Sequence, residues 1–287
     1  MQNTWALIPF YWDVESPEYK NKVLALHKTI SVIKKVVSKI AVVDDGGELD
    51  EDTIAADIFL KNQKNEGKAE AIRKGLKGIF EQDEDFSFIV QLDSDLDQDP
   101  AEAAKLLSLL GKKSPTGTEK ILVIGDRYSG LSRKQLVYRI KINFLQDVIY
   151  SQLGYKLIDS VSGLRAYTRT LAMAFKERSK STGFAIEPEQ IILTYLDEGE
   201  LYTIPLAYSR ERDPYTKANK LLVMLEGQLI HKKELKAKGQ ARLIKLLEHL
   251  RNNISKREKI FPVDLKDFGY DQILNFRLLP QDVYTID

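Results

Sequence analysis

Short apolar runs alternate along this chain with longer stretches whose apolar residues recur every three or four positions. The runs at 5–9, 40–43, 86–92, 121–124 and 201–206 are rich in β-branched and aromatic residues and read as buried strands. Helical spacing covers 18–37, where Val23, Leu24, Leu26, Ile30, Ile33 and Val37 fall in one pattern. It recurs at 51–63, 69–80, from Pro100 onward, and at 133–153, 168–178 and 183–198. Two more amphipathic helices are expected at 218–236 and 240–254, broken at Gly239. Segments 10–17 and 112–119 read as loops, and 157–167 carries too many polar groups for a core strand. Strand and helix alternate, which predicts an α/β fold: one mostly parallel twisted sheet, helices on both faces, and a C-terminal helical extension.

The run at 86–92 ends on Asp93, Asp95 and Asp97. In an extended segment alternate side chains point the same way, so three carboxylates would share one side. Hard cations such as Mg²⁺ or Mn²⁺ prefer such oxygen ligands and keep places open for phosphate oxygens. The other reading is a solvated acidic turn. A calcium loop fails, because Gln98 stands where its glycine belongs and Ala104 where its closing glutamate belongs.

Other polar positions carry two readings each. Asp44 and Asp45 end a strand beside Gly46 and Gly47, either to meet a base or ribose or to make a plain turn. Arg127, Arg133, Arg210, Arg212 and Lys217 could neutralise a diphosphate or stand as solvated charge. Asp159, Arg165, Glu187 and Glu189 are salt-bridged structural groups or, for a hydroxyl acceptor, include a general base. His27, His231 and His249 sit in helical patterns with no zinc spacing and read as structural or exposed. The phosphate loop G-x-x-x-x-G-K-[ST] is missing, as is G-x-G-x-x-G after the first strand. That argues against a P-loop ATPase and a dinucleotide-binding dehydrogenase.

Composition narrows this further. The 287 residues suffice for one large domain or two small ones, and 43% hydrophobic content is ordinary for a globular protein. There is no cysteine, which rules out thiolate chemistry and disulfides and suits a cytoplasmic protein. No secretory signal or transmembrane run is expected. Net charge is +1, yet 217–259 holds twelve Lys and Arg against four acids, leaving the remainder at −7. This basic segment could rest peripherally on the anionic inner face of a membrane. Alternatively its apolar stripe packs on the main domain or on a second copy, as a homodimer. No nucleic-acid partner is expected.

Together the motifs resemble the family 2 glycosyltransferases of GT-A fold, most closely the dolichyl-phosphate mannosyltransferase-like group. Pro9-Phe10-Tyr11-Trp12-Asp13 is similar to the family's P-x-Y-N-E, and Val43-Asp44-Asp45-Gly46-Gly47 to its V-D-D-G-S. Asn65-Glu66-Gly67-Lys68 resembles N-x-G-K, Asp93-Ser94-Asp95-Leu96-Asp97 resembles D-A-D-L-Q, and Gly125-Asp126-Arg127-Tyr128 resembles G-S-R-Y. The run from Asp159 through Ser162, Gly163 and Arg165 to Tyr167 resembles D-x-x-S-G-F-R-A-Y. The run from Gly183 to Glu189 resembles G-F-x-x-D-x-E, and that from Arg212 to Lys217 resembles R-x-G-x-S-K. Trp12, Gly47, Leu164 and Pro214 depart from the pattern.

The resemblance implies a catalytic domain over 1–217 and a helical extension over 218–287. It implies a metal-dependent, inverting transfer of a hexose from a GDP-mannose or UDP-glucose type donor, with polyprenyl phosphate one candidate acceptor. Asp93, Asp95 and Asp97 would hold Mg²⁺ or Mn²⁺. Pro9, Tyr11, Asp13, Asp44, Asp45, Gly67 and Lys68 would line the donor site. Arg127, Ser162, Gly163, Arg165, Arg212 and Lys217 would complete it. Glu187, Glu189 and Asp159, in that order, are candidate bases, and Asp95 is counted with the catalytic set. A sugar-phosphate nucleotidyltransferase and a degenerate, non-catalytic binding subunit are the competing readings. The nucleotidyltransferase lacks its glycine-rich G-x-G-T-R loop here.

Overall fold

The computed structural model describes residues 3–127, 149–150, 152–155, 159–207 and 218–255. Its centre is a seven-stranded sheet. Strand β1 is Thr4–Phe10, β2 Lys39–Asp44, β3 Ile58–Lys61 and β4 Phe88–Gln91; β5 is Ile121–Asp126, β6 Arg165–Thr168 and β7 Glu200–Pro205. They lie in the order β3-β2-β1-β4-β6-β5-β7. Every neighbouring pair is parallel except those of β6, which runs antiparallel to β4 and to β5.

Helices cover both faces. They are α1 (Tyr19–Ile33), α2 (Lys68–Gln82), α3 (Ala103–Lys113), α4 (Arg169–Arg178), α5 (Ile186–Leu196), α6 (Ala218–Leu229), α7 (Lys232–Ala237) and α8 (Ala241–Ser255). All seven residues of β1 are buried, and its alternation divides them between two cores. Trp5 and Leu7 face Ile72 and Leu76 of α2 and the later helices. Ala6, Ile8 and Phe10 face Leu26, Ile30 and Ile33 of α1 and Leu106 and Leu110 of α3. A strand buried on both faces needs a continuous apolar run, which is why these segments show no polar alternation.

Three expectations are corrected. The segment 51–63 is not a helix: Asp50 caps a single 3₁₀ turn at Glu51–Thr53, and the chain then extends into β3 beside β2. The polar stretch 157–167 does supply a core strand, since all four residues of β6 are buried. The aspartates after β4 are not extended. Asp95 Oδ1 accepts from Asp97 N at 3.2 Å, and Leu96 takes a left-handed φ of 61°, so the segment is an Asx turn. The expected helix at 133–153 falls almost wholly outside the described residues.

The tail packs on the chain itself. Leu243, Leu246, Leu247 and Leu250 of α8 are buried in the same core as Trp5. Lys232, Lys233, Lys236, Lys238 and Lys245 are exposed. The tail breaks a second time, around His231, between α6 and α7. No helix among the described residues is long and apolar enough to cross a membrane.

Candidate active site

A cavity of about 560 Å³ opens beyond the carboxyl ends of β1, β2 and β4. The chain visits β2 and β3 on one side of β1 before crossing to β4 on the other. Such a reversal leaves a crevice at the strand ends, where α/β sheets bind ligands. One side is lined by the end of β1 and the segment after it, with Pro9, Tyr11, Trp12 and Asp13. The floor and far wall bring in Asp45, Gly67, Lys68, Asp93 and Asp95, with Gly183 and Phe184 before α5.

Asp44 and Asp45 first of all shape the backbone. Asp44 is fully buried and accepts from Gly47 N at 2.8 Å and Leu49 N at 3.1 Å. Burial pushes its carboxyl up, against those two N–H groups and Lys61. Asp45 accepts from Asn62 Nδ2, Glu66 N and Gly67 N at 2.8, 2.9 and 2.8 Å. It thereby fixes Gly67, whose φ of 94° favours glycine, at the start of α2.

Lys68 follows in the first turn of α2. Its Nζ lies 2.6 Å from Asp93 Oδ1 and 2.6 Å from Glu187 Oε1. Burial works to lower the Lys68 pKa, but Asp93 and Glu187 together raise it above the ordinary lysine value. Burial likewise works to raise Asp93, and Lys68, then Arg127 and Arg165, hold it below the usual carboxylate range. Gly163 backs this carboxylate: a Cβ there would fall 2.1 Å from Asp93 Oδ2.

The remaining predicted residues form a polar layer behind the wall. Arg165 is fully buried and donates to the carbonyls of Ser160, Ser162 and Glu187 and to Gln190 Oε1. Ser162 Oγ takes a hydrogen bond from Gln98 Nε2 at 2.5 Å. Arg127 is joined to the buried Asp159. Glu189 stands outside the cavity wall. It accepts from Ser179 Oγ, Lys180 N, Ser181 N and His231 Nε2, which leaves it no capacity for a substrate proton. Asp97 is likewise outside the wall. Arg133, Arg210, Arg212 and Lys217 lie outside the described residues.

Sequence reasoning missed several contributors. Lys22 lines the cavity with its ammonium 4.3 Å from the Trp12 ring centroid, and nothing in a helical lysine announces that. Phe184, 42% exposed, was legible only as one letter of a motif. His231, read as structural or exposed, is a buried structural residue outside the cavity lining, with Nδ1 3.0 Å from Glu234 and Nε2 2.9 Å from Glu189.

The donor chemistry of the wall suits a hard cation, because it offers carboxylate oxygen and no imidazole or thiolate. No group of three such ligands is gathered among the described residues. Asp93 and Asp95 therefore fit an ion held by one or two carboxylates and completed by diphosphate oxygens, as Mg²⁺ commonly is.

No protein-family model matches the chain. It is 26% identical over 172 residues to an uncharacterised protein of Methanocaldococcus jannaschii, covering 56% of this chain and 72% of that one. Among solved structures it is similar to glucosyl-3-phosphoglycerate synthase from Mycobacterium tuberculosis in complex with Mn²⁺, UDP and glucosyl-3-phosphoglycerate. The TM-score is 0.57 at 18% identity, over 80% of this chain and 79% of that one. Mannosyl-3-phosphoglycerate synthase from Rubrobacter xylanophilus gives 0.56 at 14%, over 83% and 75%. The chain has the GT-A-like fold of these proteins.

Proposed function

We propose that this chain is a metal-dependent glycosyltransferase that moves a hexose from a nucleotide-diphosphate sugar to an acceptor, inverting the anomeric carbon. The observation that carries the reading is one cavity at the sheet's reversal point holding Asp93, Asp95 and Lys68 together. Fold neighbours that bind UDP and Mn²⁺ support it. The donor is of the UDP-glucose or GDP-mannose type. Its nucleoside would lie against Pro9, Tyr11 and Asp13, on a floor that Asp45 and Gly67 hold in shape. Asp93 and Asp95 would hold Mg²⁺ or Mn²⁺, which when bound supplies Lewis-acid stabilisation of the departing diphosphate. Lys68 adds positive charge at the same place, and Arg212 and Lys217 belong to this reading on sequence alone.

Among the described residues, Glu187 alone of the three candidate bases has a partner that lines the cavity. It would take the proton of a hydroxyl acceptor. A phosphorylated acceptor attacking through its phosphate, such as a polyprenyl phosphate, requires no base. The neighbours' names point instead to small phosphorylated acceptors.

Calorimetry tests the reading. UDP, GDP, UDP-glucose and GDP-mannose are titrated into the protein with Mn²⁺ or with chelator, then into Asp95→Ala. Metal-dependent binding of one base, lost in the variant, is expected. No nucleotide binding under any condition overturns the catalytic assignment and favours a binding subunit.

A further inference from the structure

Lys68 is a largely enclosed cation of the cavity wall, its side chain 11% exposed. Its two carboxylate partners share one ammonium and so lie within twice 2.6 Å of one another. Three elements fix them. Asp93 follows β4 and is backed by the bare Cα of Gly163, which leaves no room for a side chain. Glu187 opens α5, and its carbonyl accepts from Arg165 Nη1 at 3.0 Å. Lys68 itself starts α2, where Asp45 ties down Gly67 N. The flexible member is the four-carbon lysine stem.

We infer that Lys68 is a resident counter-cation. It occupies Asp93 until a divalent ion arrives together with a diphosphate, and so makes ion binding depend on the nucleotide. The inference rests on the donor site proposed above. An ion alone at Asp93 must displace the ammonium or sit beside it, and like charges at contact range repel strongly in a partly dry site. A diphosphate reverses that balance. Its oxygens give the ammonium a new acceptor and complete the ion's coordination. The two ligands then strengthen each other's binding by the same factor. Lys68 is thus a positioning residue that sets the order of assembly, in addition to any charge it offers the leaving group.

The test reads free Mn²⁺ by electron paramagnetic resonance on the full chain, with and without saturating UDP or GDP. Lys68→Met is compared with wild type and with Lys68→Arg. Without nucleotide, Lys68→Met should bind Mn²⁺ about tenfold more tightly than wild type, and Lys68→Arg should match wild type. With nucleotide the gap should close or reverse. Equal or weaker Mn²⁺ binding by Lys68→Met without nucleotide overturns the inference. If wild type binds Mn²⁺ with nucleotide as the donor reading requires, only the role of Lys68 falls. If neither protein binds Mn²⁺ even with nucleotide, the donor reading falls and takes this one with it. A variant-independent readout is the ¹⁵N resonance of the Lys68 ammonium in wild type. It should move with Mg²⁺ plus nucleotide; an equal shift with Mg²⁺ alone overturns the inference.

Discussion

Arg127 and Asp159 meet through two parallel hydrogen bonds, Nε to Oδ2 at 2.6 Å and Nη2 to Oδ1 at 2.8 Å. The carboxylate is fully buried, and it also accepts from Arg127 N at 3.2 Å. This clasp joins the end of β5 to the segment that enters β6, so both charges are committed to holding that corner. Removing the arginine, itself 18% exposed, strands the fully buried carboxylate. Arg127→Met is expected to cost about 3 kcal/mol of unfolding free energy, read from urea denaturation.

The two glutamates of α5 should separate cleanly. Glu187 touches a cavity residue, whereas Glu189 is saturated by donors outside the wall. With a hydroxyl acceptor, Glu187→Gln is expected to lower kcat about 100-fold while the protein stays folded. Glu189→Gln should lower the melting temperature and leave kcat nearly unchanged below it. A small effect of Glu187→Gln on kcat would identify an acceptor that arrives already ionised.

His231 sets a pH dependence of stability. Burial works to raise Glu189, but the hydrogen bonds from His231, Ser179 and Ser181 hold it at about 2, below its ordinary 4.5. Its contribution is present above pH 4.5 and lost as pH falls towards 2. Burial likewise works to lower His231, and Glu189 and Glu234 raise it above 6.5. That contribution is complete below pH 6.5 and lost as pH rises through the folded value. Melting temperature against pH should be highest between these limits, and His231→Phe should flatten the alkaline side.

Gly163 is required for space. A Cβ there would meet Asp93 Oδ2 at 2.1 Å, so Gly163→Ala must shift that carboxylate from the position in which it meets Lys68. Overpacking of this kind costs about 1–3 kcal/mol. Metal-dependent nucleotide binding, measured by calorimetry, should weaken about tenfold or more, the same cost expressed as affinity.

Most of the sheet was legible because β1, β2, β4 and β5 are buried on both faces and announce themselves as apolar runs. β3 was not. Asp50, Glu51 and Asp52 look like an acidic helix start, and only the sheet edge beside β2 decides that Ile58–Lys61 extends. β6 was hidden by its own partners: Arg165 looks unburiable until four acceptors from Ser160, Ser162, Glu187 and Gln190 surround it. The aspartate turn was read as extended because a left-handed leucine leaves no mark in composition. The cavity residues were found through motif order, which brought in Pro9, Asp45, Lys68 and Asp93. Lys22 has no motif, and only packing reveals it.

The reversed strand β6 has a consequence for how the chain assembles. It sits between β4 and β5, both of which precede it in the sequence, and pairs Gln91 with Arg165. On a ribosome, the half formed by β1 to β4 must therefore wait with an open edge until residue 168 has emerged. Such late, long-range pairing slows folding. The segment carrying Ser162 and Gly163 arrives with it, so the pocket cannot mature before the sheet is sealed. A chain cut short after β5 would keep Asp93, Asp95 and Asp97 yet lack the strand that joins the two halves of the sheet.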